Sequence, residues 1–249
     1  MKYAMGGIGD CLQVLEDAIK EKEIYLFSHC IDAPQIFDKF GVDVTFHYYS
    51  SSDELQSVYQ IISLKNLLPL ERKKYLNVPI PSPPKLELKN RVIGLHTLGS
   101  TFSHVYWQQR GQPSKTLNRG FISEFCSKLD DGNTTILLFC SPNDKPIYKK
   151  LIEYEGLKNV KIIAYYSLWD SLSSVAYCHK VVGVDSAIKT MSSMLKIPTI
   201  CLVGDYEDKF RDENFIEPYV NDNIMKVIKF KEIGPEELKK TIDLINENN

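Results

Sequence analysis

The sequence has no uninterrupted apolar run approaching the roughly 18 residues of a membrane-spanning helix. Its N-terminus also lacks the charged region, apolar core and small-residue cleavage site of a secretory signal. No C-x-x-C occurs among the 6 cysteines, and His29, His47, His96, His104 and His179 form no pair at metal-ligand spacing. Four of the cysteines lie within or beside apolar runs, as reduced core thiols do. A G-x-G-x-x-G dinucleotide fingerprint is missing as well. Together these absences predict a cytoplasmic chain with no membrane span, no metal site and no NAD-type cofactor. Charge of one sign is not in excess either: 30 Lys and Arg face 32 Asp and Glu, for a net charge of −2. A uniformly basic surface that grips polyanions without selectivity is therefore excluded.

What is present is an ordinary globular composition, with 43% apolar and 25% charged residues in 249, room for one large α/β domain or two small ones. Short apolar runs alternate with helical patterns, which predicts βαβ units around parallel sheets. In the first third, Lys2–Met5, Ile24–His29 and Val44–Tyr49 read as strands, Asp10–Lys20 and Asp32–Phe40 as helices, and residues 53–75 as a further helix. Val78 to Pro84 carries Pro79, Pro81, Pro83 and Pro84, so its backbone is stiff, extended and short of amide donors. It reads as a linker that ends an N-terminal lobe, residues 1–84. Residues 85–249 then form a second lobe, with strands at Arg91–Thr97, Thr134–Cys140, Val160–Tyr166, Lys180–Val184, Thr199–Val203 and Met225–Phe230. Helices are expected at Asn118–Leu129, Lys145–Tyr154, Leu168–Tyr177, Ser186–Leu195 and from Pro235, and a solvated loop at Asp205–Asn214.

Three segments carry chemistry. Met5-Gly-Gly-Ile-Gly-Asp10 follows the first strand, and its glycines, Gly7 and Gly9 among them, permit a tight turn that aims backbone amides at a ligand. Asp10 suits proton abstraction there, or serves only as a helix cap. In the second segment a buried strand ends at Asp185-Ser186 and opens a helix bearing Ala187, Lys189 and Thr190. Its first-turn amides favour a phosphate, unless Asp185 or Ser186 is an ordinary N-cap. The third is the stretch from Leu88 to Ser123, which has no acidic residue but holds Lys89, Arg91, Arg110, Lys115 and Arg119. Phe102, Tyr106 and Trp107 lie in the same stretch, where they cover a base or sugar or simply pack on the body of the lobe.

The G-x-G-D turn, the lysine before the second-lobe helix, and Asp185-Ser186 followed by Pro198, an apolar strand and Gly204 together resemble the heptosyltransferase-type, family 9 glycosyltransferases. The resemblance implies a GT-B fold, two Rossmann-like α/β lobes with parallel sheets facing across a cleft. It further implies sugar transfer from a nucleotide-diphosphate sugar, without metal or other cofactor, to a saccharide hydroxyl. In this resemblance Asp10 stands where the family keeps its proposed base, and Lys115 near its phosphate-contacting lysine. Asp185 and Ser186 match the family's Asp-Ser/Thr-Gly start, with Ala187 in place of Gly and Thr190 in place of His. Gly7, Gly9 and Arg110 are expected near the acceptor or its loops. Two alternatives stay open: a phage-type enzyme glycosylating a hydroxylated DNA base, and an inactive nucleotide-sugar binding module of the same fold. The expected partners are thus a nucleotide sugar and a saccharide or modified DNA, for a monomer or weak homo-oligomer.

Overall fold

The computed structural model describes residues 1–98, 117–204 and 212–247. The chain divides into two compact units, one of Met1–Ile80 with Ser167–Trp169, the other of Pro81–Tyr166 with Asp170–Asn249.

The first unit is built from β1 (Lys2–Met5), α1 (Ile8–Glu21), β2 (Glu23–Ser28), α2 (Gln35–Asp38), β3 (Asp43–Tyr48), α3 (Ser52–Leu64) and β4 (Leu68–Pro69). The sheet order is β3-β2-β1-β4, every pair parallel. Helix α1 buries Cys11, Leu12, Val14, Leu15 and Ala18, the i, i+3, i+4, i+7 stripe of an amphipathic helix. The apolar pattern of residues 53–75 predicts one long helix, but α3 ends at Leu64 and the chain enters a strand. Asn66 takes a left-handed φ of 49°, and Leu68, which precedes Pro69, is pushed toward extended backbone. Pro69 also lacks an amide donor, which confines β4 to two residues at the sheet edge. Helix α2 is likewise shorter than the expected Asp32–Phe40.

After β4 the backbone runs back along α1. The Glu71 amide donates to Asp17 Oδ2 at 2.9 Å, the Lys73 amide to the Gln13 carbonyl at 2.6 Å, and the Asn77 amide to Glu16 Oε1 at 2.6 Å. This strap fixes where Arg72 sits.

The second unit contains β5 (Arg91–His96), α4 (Arg119–Lys128), β6 (Thr134–Phe139), α5 (Lys145–Glu155), β7 (Val160–Ile163), α6 (Leu168–Ser173), β8 (Lys180–Val184), α7 (Ala187–Met194), β9 (Thr199–Gly204), α8 (Glu217–Asn221), β10 (Met225–Phe230) and α9 (Pro235–Asn246). The start of α6, Leu168–Trp169, itself belongs to the first unit, where the Trp169 indole donates to the Gln35 carbonyl at 3.0 Å. Helix α6 continues as a tighter turn over Ser174–Tyr177, and a π-helical turn over Asp212–Ile216 precedes α8, where the sequence pattern suggests loop as far as Asn214.

All strand pairs of the second sheet are parallel, in the order β10-β9-β8-β5-β6-β7. Counted from β5, that is the doubly wound arrangement of a dinucleotide-type fold, with its reversal between β5 and β8. Ile93, Leu95, Ile136, Leu138, Val182, Val184, Ile200 and Leu202 form the core on one face of the sheet, against Phe121, Ile122 and Phe125 of α4. The two central strands meet tightly at Gly183, where a Cβ would fall 2.9 Å from the His96 carbonyl oxygen. At the opposite end, Arg91 donates to the Ile245 carbonyl at 3.0 Å and Lys180 to the carbonyls of Leu244 and Glu247 at 2.9 and 2.8 Å. Two cations thereby satisfy the C-terminal carbonyls of α9 and complement its dipole.

Candidate functional site

Each unit presents chemistry at the carboxyl ends of its strands, where open parallel sheets bind ligands. In the first unit the sheet reverses between β1 and β4, and Asp10 and Arg72 follow those two strands. Gly6 makes the turn with a φ of +126°, and a Cβ there would lie 2.4 Å from Asp10 Cγ, so only glycine fits. The turn is tied to the sheet by the Gly6 amide on the Phe27 carbonyl (3.0 Å) and by the Ser28 hydroxyl on the Gly6 carbonyl (2.6 Å).

Asp10 occupies the third position of α1, and its Oδ2 accepts the Gly7 amide at 2.9 Å, so it is a helix cap. It is more than a cap. Oδ1 accepts Arg72 Nη2 at 2.9 Å, and Arg72 Nη1 donates to Gln13 Oε1 at 2.7 Å. The Asp10 and Arg72 side chains keep 25% and 31% exposure, so the pair is open to a ligand. Gly9 lies in the first turn of α1 and Gly7 is its N-cap.

Around this carboxylate stand residues that the sequence reading leaves aside. His29 Nδ1 lies 3.4 Å from the Tyr49 hydroxyl, with the rings edge to face. Burial first, and then the Asp10 charge, raise the Tyr49 phenol well above its ordinary value, so it keeps its proton. Burial pushes the Cys30 thiol up to about 11, which makes it a poor nucleophile. His29 and Tyr49 end or follow adjacent parallel strands, a signal present in the sequence. Arg72 carries no such signal, because its place depends on the strap along α1.

In the second unit Asp185 and Ser186 lead from β8 into α7. Ser186 Oγ accepts the Lys189 amide at 3.3 Å and is the N-cap. Lys189 is expected to offer a cation to a ligand, but its side chain is 0% exposed. Its Nζ is held by Asp185 Oδ1 at 2.9 Å and by the Phe215 carbonyl at 3.0 Å, because a buried ammonium requires such partners. Thr190 is equally withdrawn, its hydroxyl donating to the Ser186 carbonyl at 3.1 Å. Ser186 and Ala187 remain half-buried at the start of the helix, where first-turn amides have no intrahelical acceptor. His96 ends β5 beside them in the sheet order; its Nδ1 is buried without a hydrogen-bond partner, and burial lowers its pKa to about 4. Lys115 and Arg110, with Phe102, Tyr106 and Trp107, lie outside the described residues.

All six cysteines are free thiols. Among the described residues, no helix is long and apolar enough to cross a membrane, and no group of three or more His, Cys, Asp or Glu gathers as a metal site.

No protein-family model and no curated protein matches the sequence. Solved structures do match. ADP-heptose LPS heptosyltransferase II of E. coli is similar over 98% of both chains at 14% identity, with a TM-score of 0.56. A family 9 glycosyl transferase from Veillonella parvula aligns over 98% of this chain and 91% of its own, at 13% identity and a TM-score of 0.52. The glycotransferase of kitacinnamycin covers 98% and 90%, at 8% identity and a TM-score of 0.53. At these identities the likeness is one of fold. The chain has the GT-B fold, with two parallel-sheet α/β units of four and six strands. The structures that share it include heptosyltransferases and family 9 glycosyltransferases.

Proposed function

We propose that the protein is a glycosyltransferase that moves a sugar from a nucleotide-diphosphate sugar to a hydroxyl of a saccharide. The observation that carries this reading is the setting of Asp10, a partly exposed carboxylate fixed by the Gly7 amide and Arg72 at a strand-order reversal, in a fold shared with sugar transferases. Asp10 acts as general base. It takes the proton of the acceptor hydroxyl as that oxygen bonds to the anomeric carbon and the bond to the diphosphate breaks. Fixing the carboxylate in advance matters, because misplacement by about 1 Å costs on the order of 10²-fold in rate.

The donor belongs to the second unit. Its diphosphate would meet the amides at the start of α7, at Ser186 and Ala187, with Lys115 supplying charge to the leaving group. Lys189 and Thr190 act from beneath, by shaping the helix start. In this reading the leaving charge is met by amides and lysine, and the reaction takes no metal or other cofactor.

The test is release of nucleotide from ADP-, UDP- and GDP-sugars in the presence of saccharide acceptors, with hydroxymethylated DNA as the competing acceptor. Asp10→Ala is expected to abolish release and to leave nucleoside-diphosphate binding intact. Wild-type turnover by that variant would refute the assignment. Nucleotide binding by the wild type with no transfer to any acceptor would instead support a binding module.

A further inference from the structure

A diphosphate at the start of α7, as the transfer reading requires, lies next to an aspartate. Ser186 is the N-cap, and its Oγ takes the Lys189 amide, which leaves the Ala187 and Ile188 amides of the first turn without an acceptor in the helix. Asp185 directly precedes that cap, and a carboxylate so close to a phosphate repels it. Burial sharpens the conflict, because the Asp185 carboxylate is almost wholly withdrawn from water and is screened little. Lys189, four residues on, cancels the charge. Its Nζ reaches Asp185 Oδ1 at 2.9 Å from a side chain with no exposed surface. The Phe215 carbonyl, at 3.0 Å, holds the same ammonium, so the cation is fixed in place rather than free to leave for solvent. Thr190, its neighbour, brings no charge and keeps its hydroxyl on the Ser186 carbonyl.

We propose that Lys189 is a positioning residue for the donor: its buried ammonium neutralises Asp185 and so lets the start of α7 accept the diphosphate of a nucleotide sugar. The inference rests on the transfer reading and adds how an acidic strand end comes to receive an anion. Lys189 touches no part of the ligand. Because the pair carries no net charge, the amide dipoles of the helix start act on the phosphates unopposed. A pair that only held the fold together would behave differently. Either single substitution would then loosen the helix start, and both would weaken binding. Charge compensation gives opposite signs instead: Lys189→Met leaves a negative charge beside the phosphates, and Asp185→Asn leaves a positive one.

Three variants of the full chain test this: Lys189→Met, Asp185→Asn and the two combined. Each is titrated calorimetrically with ADP-, UDP- and GDP-glucose, and with adenosine, uridine and guanosine, at low salt where screening is weak. For the nucleotide sugar that the wild type binds best, Lys189→Met is expected to raise Kd about tenfold and Asp185→Asn to lower it about threefold. The combined variant, again without net charge, is expected to lie within about twofold of the wild type. The matching nucleoside has no phosphate, so it is expected to bind the wild type and all three variants alike.

An Asp185→Asn variant that binds the nucleotide sugar no more tightly than the wild type overturns the assignment. So does a Lys189→Met variant with wild-type affinity, or one whose nucleoside binding falls in step with its nucleotide-sugar binding. A wild type that binds no nucleotide sugar more tightly than the matching nucleoside seats no diphosphate, and overturns the donor side of the transfer reading together with this inference. Thermal melting is the folding control. Asp185→Asn keeps the shape of the side chain and an oxygen to accept from Nζ, so if Lys189→Met does not fold, the sign of the Asp185→Asn change decides alone.

Discussion

Lys189 and Asp185 form an ion pair of 2.9 Å between Nζ and Oδ1, with 0% and 5% of their side chains exposed, at the point where β8 turns into α7. The ammonium also donates to the Phe215 carbonyl and lies 5.4 Å from the centre of the Phe215 ring. A lysine one turn into a helix thus joins the end of a strand to the turn over Asp212–Ile216. Removing one partner strands a charge in the core, which costs about 3–5 kcal/mol, while replacing both with apolar or neutral groups is far milder. Lys189→Met alone is therefore expected to lower the urea midpoint strongly. Asp185→Asn combined with Lys189→Met is expected to recover most of the loss. Equal destabilisation by the single and the double variant would contradict the pairing.

His96 gives the fold a pH dependence. Burial lowers its folded pKa to about 4, against an ordinary value near 6.5. The unfolded chain therefore binds a proton that the folded chain refuses between those two values. Stability from this residue is full above about pH 6.5, falls as pH drops toward 4, and levels off below, by roughly 3 kcal/mol at most. His96→Leu removes both the titration and the unpartnered Nδ1. Urea unfolding at pH 7 and pH 4.5 is expected to show a smaller difference between the two pH values for this variant than for the wild type.

Arg72 separates activity from stability. Its pair with Asp10 is partly exposed, and such pairs contribute at most about 1 kcal/mol. Arg72→Ala is accordingly expected to melt close to the wild type. Turnover is expected to fall by up to about 10²-fold, because Asp10 Oδ1 loses the guanidinium that sets its direction. A variant with unchanged turnover would show that the Gly7 amide suffices to orient the base.

Two glycines with left-handed backbone provide an internal comparison. Gly41 has a φ of +67° and nothing within 4 Å of a built Cβ, whereas Gly6, at +126°, would place its Cβ 2.4 Å from Asp10. Gly41→Ala is expected to cost only the backbone strain, about 1 kcal/mol. Gly6→Ala adds a collision with the candidate base, so it is expected to cost more than Gly41→Ala and to lower turnover as well. Similar melting temperatures and rates for the two variants would argue against the tight turn at Asp10.

Much of the architecture was legible beforehand. Alternating apolar runs mark nine of the ten strands among the described residues, because strands buried on both faces of a parallel sheet read as continuous Val, Ile and Leu segments. The tenth, β4, was hidden by the helical spacing of Leu67 and Leu68 with the residues before them, although Pro69 marked the break. The ends of strands also pointed to Asp10, Asp185 and Ser186, since chemistry in this class of sheet gathers there. The burial of Lys189 is not legible in the sequence, because lysine is usually solvated; the nearby Phe215 carbonyl and Asp185 carboxylate make its burial tolerable.

The sequence by itself determined most of the elements, the glycine turn and the two helix starts, all of which depend on residues within a few positions of one another. Only the tertiary structure decided which distant groups complete them. Arg72 reaches Asp10 across 62 positions, and Phe215 reaches Lys189 across 26, through backbone hydrogen bonds and packing that no local pattern encodes. The physical reason is that propensity and periodicity act along the chain, whereas desolvation and charge pairing are settled by whatever the folded chain brings within a few ångströms.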